Sequence, residues 1–277
     1  MKVVYGGVRG SYPVADSAML KFGGETTAVL IEGREGGWIL LDAGTGTRLF
    51  APRLAELPVP LLILLTHYHL DHLAGLPQLP ALYQRDRVVT IAGPVVDGIG
   101  PADALARLLS PPYWPIPLPT VPARVEFRAL SGEEGFEWQG LRLRWMPVAH
   151  LGRCLAFRLE EQGGGAMVFA TDVEWAAAGE DLRRAFLRFC REPRPADLLC
   201  FDGAYSPEEY ARRRGWGHST WEEAVMVGRA AGVGRVHIIH HAPEHDDECL
   251  ARIERAAEAL WPHAALARGG QSIELNG

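Results

Sequence analysis

The chain has 277 residues, of which 48% are apolar and 22% are charged, and its formal net charge at pH 7 is −6. A chain of this length can bury most of its apolar surface without disulfides or structural metal ions, and its composition is that of a globular protein. The acidic balance argues against a long nucleic-acid footprint, because such a footprint needs a basic face to displace phosphate counterions.

The composition also argues against a membrane or a secreted protein. The longest apolar runs, such as residues 61–65, are far shorter than the roughly 20 residues that a membrane helix needs. The N-terminus has no charged segment followed by an apolar one, and the four cysteines show no C-x-x-C spacing. We therefore expect reduced, mostly core cysteines, a cytoplasmic location and no membrane contact. A homodimer is compatible with the sequence.

Short apolar runs predict strands, and longer runs with helical periodicity predict helices. We expect strands at Val3–Val8, Ala28–Glu32, Trp38–Asp42, Leu61–Thr66, Val88–Ala92, Val125–Leu130, Leu141–Val148, Leu155–Glu160, Met167–Thr171, Leu198–Phe201 and Val236–His240. We expect helices at Thr47–Glu56, Asp71–Tyr83, Asp103–Leu109, Glu180–Arg191, Pro207–Arg214, Trp221–Ala231 and Asp247–Leu260. Because we find no repeat and no convincing linker, we predict one domain over residues 1–277.

Metal-ligand side chains are concentrated directly after the predicted strand Leu61–Thr66. Three histidines and one aspartate fall within six residues, as His67, His69, Asp71 and His72. Imidazole suits Zn, Fe and Mn-like ions, and an added carboxylate allows two such ions to lie side by side. The alternative is a solvated loop with incidental histidines.

Three later residues argue against that alternative. His150, Asp172 and His240 each come just after another short apolar run. Because sheet folds bind ligands in the crevice outside strand ends, separate strands can converge there on one site.

This order of residues, H-x-H-x-D-H followed by a distant His, an Asp and a His, resembles the metallo-β-lactamase superfamily of metallohydrolases. The resemblance begins near Asp42-Ala43-Gly44 and ends near His240-His241-Ala242-Pro243. It implies an α/β fold, namely an αββα sandwich of two mixed β-sheets with helices on both outer faces.

The resemblance also implies two divalent metal ions. It assigns one metal to His67, His69 and His150, the other to Asp71, His72 and His240, and a bridging position to Asp172. Zn²⁺ is the first expectation, with Mn²⁺ or Fe²⁺ as alternatives, because histidine and carboxylate accept all three. His241 is the rival of His240, but the family pattern puts the ligand three residues before the proline that stands here at Pro243.

The tract Gly217-His218-Ser219-Thr220 resembles the phosphodiesterase branch of the superfamily, which includes RNase Z. In that branch a histidine at this position faces the scissile phosphate. We predict a capping box with Ser219 at the N-cap and Glu222 reaching back. Asp202 resembles the RNase Z carboxylate that orients this histidine, although the family has Glu there. The alternative role for Asp202 is to satisfy nearby backbone N–H groups.

Three further features have both a structural and a functional interpretation. Glu25 stands where related bacterial proteins usually carry an amide, so its role is open. The proline-rich segment Pro111–Pro119 is either a rigid connection that packs Trp114 or a lid over a flat ligand. The basic run Arg212–Arg214 is either a solvated helix face or a phosphate clamp.

These residues predict a dinuclear metal-dependent hydrolase acting on a small or cyclic phosphodiester, with Asp71, His218 and Asp202 as the candidate catalytic residues. A metal-bridging hydroxide would attack phosphorus, and His218 would deliver a proton to the leaving group. Two metals would also make the site attractive to a small phosphorylated substrate despite the acidic chain.

Three alternatives remain. The first is an ester, thioester or lactone hydrolase on the same scaffold. The second is an RNase Z-like nuclease, but only 21 residues separate His150 from Asp172, which leaves little room for a tRNA-binding arm. The third is a non-catalytic sensor, which we would not expect to keep all seven metal ligands.

Overall fold

The computed structural model describes residues 1–56, 60–132 and 135–276. The strands in these ranges are β1 (Lys2–Gly7), β2 (Ala28–Glu32), β3 (Trp38–Leu41), β4 (Leu61–Leu64), β5 (Val88–Pro94), β6 (Arg124–Leu130), β7 (Phe136–Trp138), β8 (Leu141–Val148), β9 (Cys154–Glu161), β10 (Ala166–Ala170), β11 (Leu198–Asp202), β12 (Val236–Ile239), β13 (Ala264–Leu266) and β14 (Ser272–Glu274). The α-helices are α1 (Ala51–Glu56), α2 (Pro101–Leu108), α3 (Glu180–Arg191), α4 (Pro207–Tyr210), α5 (Trp221–Ala231) and α6 (Asp247–Leu260).

The strands form two seven-stranded sheets. Sheet I has the order β14-β1-β2-β3-β4-β5-β6, and sheet II has the order β13-β12-β11-β10-β9-β8-β7. Strands β3 to β6 run parallel in sheet I, and β10 to β13 run parallel in sheet II, while the remaining pairs are antiparallel. Both sheets are therefore mixed.

The two sheets pack face to face because side chains alternate across each strand. Ile39 and Leu41 of β3 share one buried cluster with Met167 and Phe169 of β10, which is the core between the sheets. The intervening side chains of the same strands, such as Leu40, point to the opposite faces and join other clusters.

Helices cover those opposite faces. Apolar residues of α1, α2 and several short 3₁₀ turns pack on the outer face of sheet I, and those of α3, α5 and α6 pack on the outer face of sheet II. The predicted αββα sandwich is confirmed. Of the helices in the described ranges, none combines the length and apolarity of a bilayer span.

One predicted helix is wrong, and several others differ in extent. Residues 71–83 form three short 3₁₀ turns instead of a helix, because Pro77 and Pro80 interrupt the backbone hydrogen-bond pattern. The predicted helix at residues 207–214 is helical only over Pro207–Tyr210. The predicted capping box is displaced by one residue, since Thr220 is the N-cap of α5 and Glu223 reaches back to it.

Truncation of a side chain between the sheets should cost much of the stability. Phe157 is fully buried in the core between the sheets. We expect Phe157→Ala to lower the free energy of unfolding by about 3–5 kcal/mol, because a cavity is left behind. Chemical denaturation measures this change, and Leu260→Ala, at a position 49% exposed, is the control with little effect. A loss below about 1 kcal/mol for Phe157→Ala would contradict this packing.

Candidate metal centre

The predicted metal ligands lie in loops that follow the carboxyl ends of strands in both sheets. His67, His69, Asp71 and His72 follow β4 of sheet I, whereas His150, Asp172 and His240 follow β8, β10 and β12 of sheet II. The sheets are also joined here by a backbone hydrogen bond of 3.0 Å from Leu155 N–H to the carbonyl oxygen of Thr66. The structure thus brings all seven predicted ligands to one edge of the sandwich.

The seven predicted ligands form two groups that fit metal ions, and a third group, Asp172, His218 and His240, overlaps them. The first group is His67, His69, His150 and Asp172, and the second is Asp71, His72 and His240, with all atoms of a group within 4.8 Å of one another. In the first group, His150 Nε2 lies 3.2 Å from His69 Nδ1. In the second group, His72 Nε2 lies 3.2 Å from Asp71 Oδ2.

Asp172 joins the two groups, because each of its carboxylate oxygens faces a different one. Its Oδ1 lies 3.7 Å from Nε2 of both His67 and His150. Its Oδ2 lies 3.1 Å from His72 Nε2 and 3.2 Å from His240 Nδ1. This is the geometry expected of a carboxylate that bridges two cations.

Buried ring nitrogens without partners support the fit to metal. The Nε2 atoms of His67 and His240 are buried and have no hydrogen-bond partner among the described residues. An unpaired buried nitrogen costs free energy, so such atoms call for a ligand. A histidine and carboxylate donor set of this kind suits Zn²⁺, Mn²⁺ or Fe²⁺.

The backbone is unusual where the ligands are presented. Asp42, Asp172 and His240 have φ values of 55°, 55° and 64°, a left-handed conformation that is uncommon for residues other than glycine. Asp42 and His240 directly follow β3 and β12, and Asp172 is the second residue after the end of β10. Such conformations cost free energy and persist at functional sites, where the surrounding structure holds them.

Asp42 holds the first loop in place. Its carboxylate is fully buried, accepts hydrogen bonds from the backbone N–H and the hydroxyl of Thr66, and lies 2.8 Å from His72 Nδ1. The Thr66 hydroxyl also contacts His67 Nδ1 at 2.9 Å. Asp42 therefore orients one histidine of each group, His72 directly and His67 through Thr66. Asp42 marks the start of the family resemblance in the sequence, but these contacts are visible only in the folded chain.

His218 and Asp202 form a pair next to the donor groups. His218 Nδ1 lies 2.8 Å from Asp202 Oδ2, and the His218 ring stacks on that of His240 with 4.5 Å between ring centres. Asp202 is fully buried and also accepts from the backbone N–H groups of Val173, Ala204 and Ser219. Asp202 therefore makes the contacts that both interpretations predict, since it pairs with His218 and accepts hydrogen bonds from backbone N–H groups.

Comparison with known proteins supports this assignment of fold and site. Residues 37–241 match the family model described as "Beta-lactamase superfamily domain". A ribonuclease Z of Lachnospira eligens is 23% identical, covering 94% of this chain and 95% of the relative. The metallo-beta-lactamase fold protein YhfI of Bacillus subtilis superposes with a TM-score of 0.72 at 18% identity over 99% of both chains. A diphosphatase from the PhnP family has a TM-score of 0.71 at 17% identity, covering 99% of this chain and 97% of its own.

The chain belongs to the metallo-β-lactamase superfamily. The predicted resemblance to its phosphodiesterase-like branch is confirmed by these relatives. Membership and the two donor groups together indicate a metal-dependent hydrolase.

The charge states of most predicted ligands favour metal binding, with His72 as the exception. Burial alone would lower the pKa of His72, but Asp172, Asp71 and Asp42 raise it well above its usual range, so this imidazole must release a proton to bind metal.

Burial alone would raise the pKa of Asp172. His240, His72 and His67 have the opposite and larger effect, so this pKa lies well below its usual range. Burial holds the pKa of His67 well below its usual range, and burial also lowers the pKa values of His69 and His150. Ionised carboxylates and neutral imidazoles are the forms that bind metal.

The pKa of His218 moves in the opposite direction. Burial alone would lower the pKa of this imidazole, but Asp202 raises it to about 9. Asp202 therefore favours the protonated form of His218.

Other predicted residues lie outside the two donor groups. His241 is buried and contacts the carbonyl oxygen of Ala267 at 2.9 Å, so the structure favours His240 as the ligand. Glu25 pairs with Arg48. Trp114 packs partly buried against the helix-covered core of sheet I, which supports the structural interpretation of the proline-rich segment.

Removal of the Asp42 carboxylate should weaken metal binding. We expect Asp42→Asn to lower metal affinity about 10- to 100-fold, because the side chain can no longer accept from Thr66 and His72 together. Competition with a chelating dye measures the affinity, and Asp181→Asn, at an exposed position, is the control. Wild-type affinity in Asp42→Asn would show that this contact does not orient the ligands.

Proposed function

We propose that this protein hydrolyses small or cyclic phosphodiesters with two divalent metal ions, of which Zn²⁺ is the first candidate. The observation that carries the proposal is the His218–Asp202 pair, which lies directly against the donor groups. A metal site alone would serve any hydrolase, whereas a protonated, carboxylate-held imidazole beside it also supplies an acid for an alkoxide leaving group. We further propose a single domain and a cytoplasmic location.

Each site residue has a distinct role in this proposal. The seven predicted ligands would hold the ions, with His67, His69 and His150 for one, Asp71, His72 and His240 for the other, and Asp172 between the two groups. Such ions, when bound, neutralise phosphate charge and lower the pKa of bound water. Ser11 N–H donates to Asp71 Oδ2 at 2.9 Å and fixes that carboxylate.

His218 is the proposed proton donor. Its Nδ1 is occupied by Asp202, which leaves Nε2 for the leaving oxygen or a phosphate oxygen. Asp202 fixes the ring and keeps it protonated, so it acts through His218 and does not touch substrate.

An ester, thioester or lactone hydrolase is the alternative on the same scaffold. Such an enzyme would use the ions in the same manner but would have less need of a proton donor held in this position. Side-by-side assays of a phosphodiester chromogen and a lactone separate the two, and faster hydrolysis of the lactone would overturn our proposal.

Ribonuclease Z is the name of several relatives, and an RNA substrate is the second candidate for that reason. Two features support a small substrate instead. Strands β9 and β10 pair directly, and only residues 162–165 connect them, so no arm is inserted between His150 and Asp172. The chain also carries a net charge of −6. Cleavage of precursor tRNA in preference to small diesters would favour the nuclease.

Loss of His218 should impair turnover without loss of metal. We expect His218→Ala to lower kcat on a diester with an alkoxide leaving group about 100- to 10,000-fold, because the proton donor is removed. Turnover and metal content are measured on the same sample, and His263→Ala, at an exposed position, is the control. Unchanged turnover in His218→Ala would contradict the role, and joint loss of metal and fold would make His218 structural.

A further inference from the structure

The carboxylate of Glu174 is buried beside the metal centre, although neither donor group includes it. Glu174 lies two residues after Asp172, and its exposed fraction is 5%. A glutamate is seldom buried this far unless hydrogen bonds replace its lost hydration. The partners of this side chain therefore indicate what it does.

The hydrogen-bond partners of the carboxylate lie in or directly before one loop, residues 211–217, which leads from α4 to His218. Oε1 of Glu174 accepts from Gly215 N–H and from the Tyr210 hydroxyl, both at 2.7 Å, and Oε2 accepts from Gly217 N–H at 3.0 Å. Burial, with a further contribution from Glu174, raises the pKa of Tyr210 to about 12, so this hydroxyl keeps the proton that it donates. One buried carboxylate thus anchors the loop through three donors.

Gly217 connects the 211–217 loop to a predicted metal ligand. Its carbonyl oxygen lies 2.8 Å from His150 Nδ1. A carbonyl oxygen can only accept, so a hydrogen bond here places a proton on Nδ1 and leaves Nε2 free to bind a metal ion. Nε2 faces the first donor group, 3.2 Å from His69 Nδ1 and 3.7 Å from Asp172 Oδ1. Gly217 therefore sets both the tautomer and the direction of the His150 ring.

Only glycine allows this close approach. Gly217 has φ of 89°, a left-handed conformation that glycine adopts without steric cost. An added Cβ would lie 2.4 Å from His150 Nδ1. Both backbone groups of Gly217 are engaged, because its N–H is held by Glu174 while its carbonyl oxygen contacts His150.

The backbone of Glu174 also holds the main chain next to His150. Its N–H donates to the carbonyl oxygen of Ala149 at 2.7 Å, and Ala149 lies between the end of β8 and the ligand. Glu174 therefore fixes the main chain before His150 through its own backbone, and the imidazole through its side chain and Gly217.

Contacts on the outer side of the loop are weaker. The Arg213 guanidinium lies 3.4 Å from a carboxylate oxygen of Glu244 and 3.8 Å from one of Glu209, and all three side chains are partly exposed. Exposed ion pairs of this kind contribute little, so the buried carboxylate of Glu174 is the main anchor. At Arg213, these pairs also support the structural interpretation of the basic run Arg212–Arg214.

We propose that Glu174 is a positioning residue of the metal centre, which holds the Gly217 carbonyl against His150 and so aims His150 Nε2 at the ion of the first donor group. Glu174 itself touches neither ion. The inference rests on the proposed ligand role of His150, and it adds a residue that the ligand pattern does not contain.

Glu174→Met tests this role, because methionine is of similar length and has no oxygen to accept from the three donors. Without its acceptor, the Gly217 amide should no longer hold the Gly217 carbonyl against His150. We expect one of the two Zn²⁺ dissociation constants to rise about 10- to 100-fold in chelator competition. Anomalous scattering from crystals of the variant grown at limiting Zn²⁺ should locate the loss at the first donor group.

Two control variants separate positioning from stability. Tyr210→Phe removes one donor but leaves both glycine amides on Glu174, so its effect on Zn²⁺ affinity should be much smaller. Glu223→Met removes a carboxylate that accepts from Thr220 N–H in the capping box of α5, so it should lower the melting temperature of the metal-free protein and keep both dissociation constants. An equal rise of a Zn²⁺ constant in Glu223→Met would assign the effect to lost stability and overturn the proposal.

Nuclear magnetic resonance of the wild-type protein tests the same contact without any change at Glu174. The Nδ1 proton of His150, identified by its loss in His150→Gln, should be observed in the Zn²⁺-loaded protein and should exchange slowly with water, because it is bound to Gly217. An unprotonated or rapidly exchanging Nδ1 would overturn the proposal whether or not Glu174→Met folds.

Failure of the metal centre and failure of the positioning role give different results. Wild-type protein that binds no Zn²⁺, Mn²⁺ or Fe²⁺ would overturn the proposed function and this inference with it. If the wild type binds two Zn²⁺ ions, the positioning role alone is wrong when Glu174→Met keeps both constants, even with a lower melting temperature of the metal-free protein. A loss confined to the second donor group would also overturn the positioning role.

Discussion

The rest of the site depends on the contacts that the Asp172 carboxylate makes with histidines of both donor groups. Its two oxygens face the two donor groups, and the residue lies in a left-handed conformation at the end of β10. A buried carboxylate needs compensation for lost hydration, and here the compensation comes from imidazoles presented by both sheets. The αββα packing therefore matters for function because it brings strand ends of the two sheets within reach of one side chain.

Loops from sheet II extend this arrangement beyond the ligands. The segment after Asp172 contacts the segment before α5 at several points, since Glu174 holds two glycine amides and Ser219 accepts from Trp175 N–H and donates to the carbonyl oxygen of Val173. Asp202 adds bonds to both segments. The proposed proton donor is thus tied to the metal centre through hydrogen bonds between side chains and the backbone.

Much of the fold follows from the sequence where local signals are strong. The bounds of α3, α5 and α6 agree with prediction, because amphipathic periodicity coincides with clear ends, such as the Asp246 cap of α6 and Gly232 in the left-handed conformation after α5. Strands β7, β13 and β14 were missed, since each has three residues and exists only through pairing with a neighbour. The cap of α5 was misplaced because a tertiary contact recruits the Ser219 hydroxyl away from the helix.

The site, like the fold, has residues that could be predicted from the sequence and residues that could not. The seven ligands could be named from a family pattern, whereas the contacts of Asp42 and Glu174 could not, because their partners are distant in sequence and become neighbours only in the folded chain.

Anomalous X-ray scattering from crystals grown with Zn²⁺ tests the central claim most directly. We expect two peaks, one within each donor group, with an Asp172 oxygen next to each. A single peak, or none, with Asp172 turned away from either group would contradict a bridged pair of metal ions.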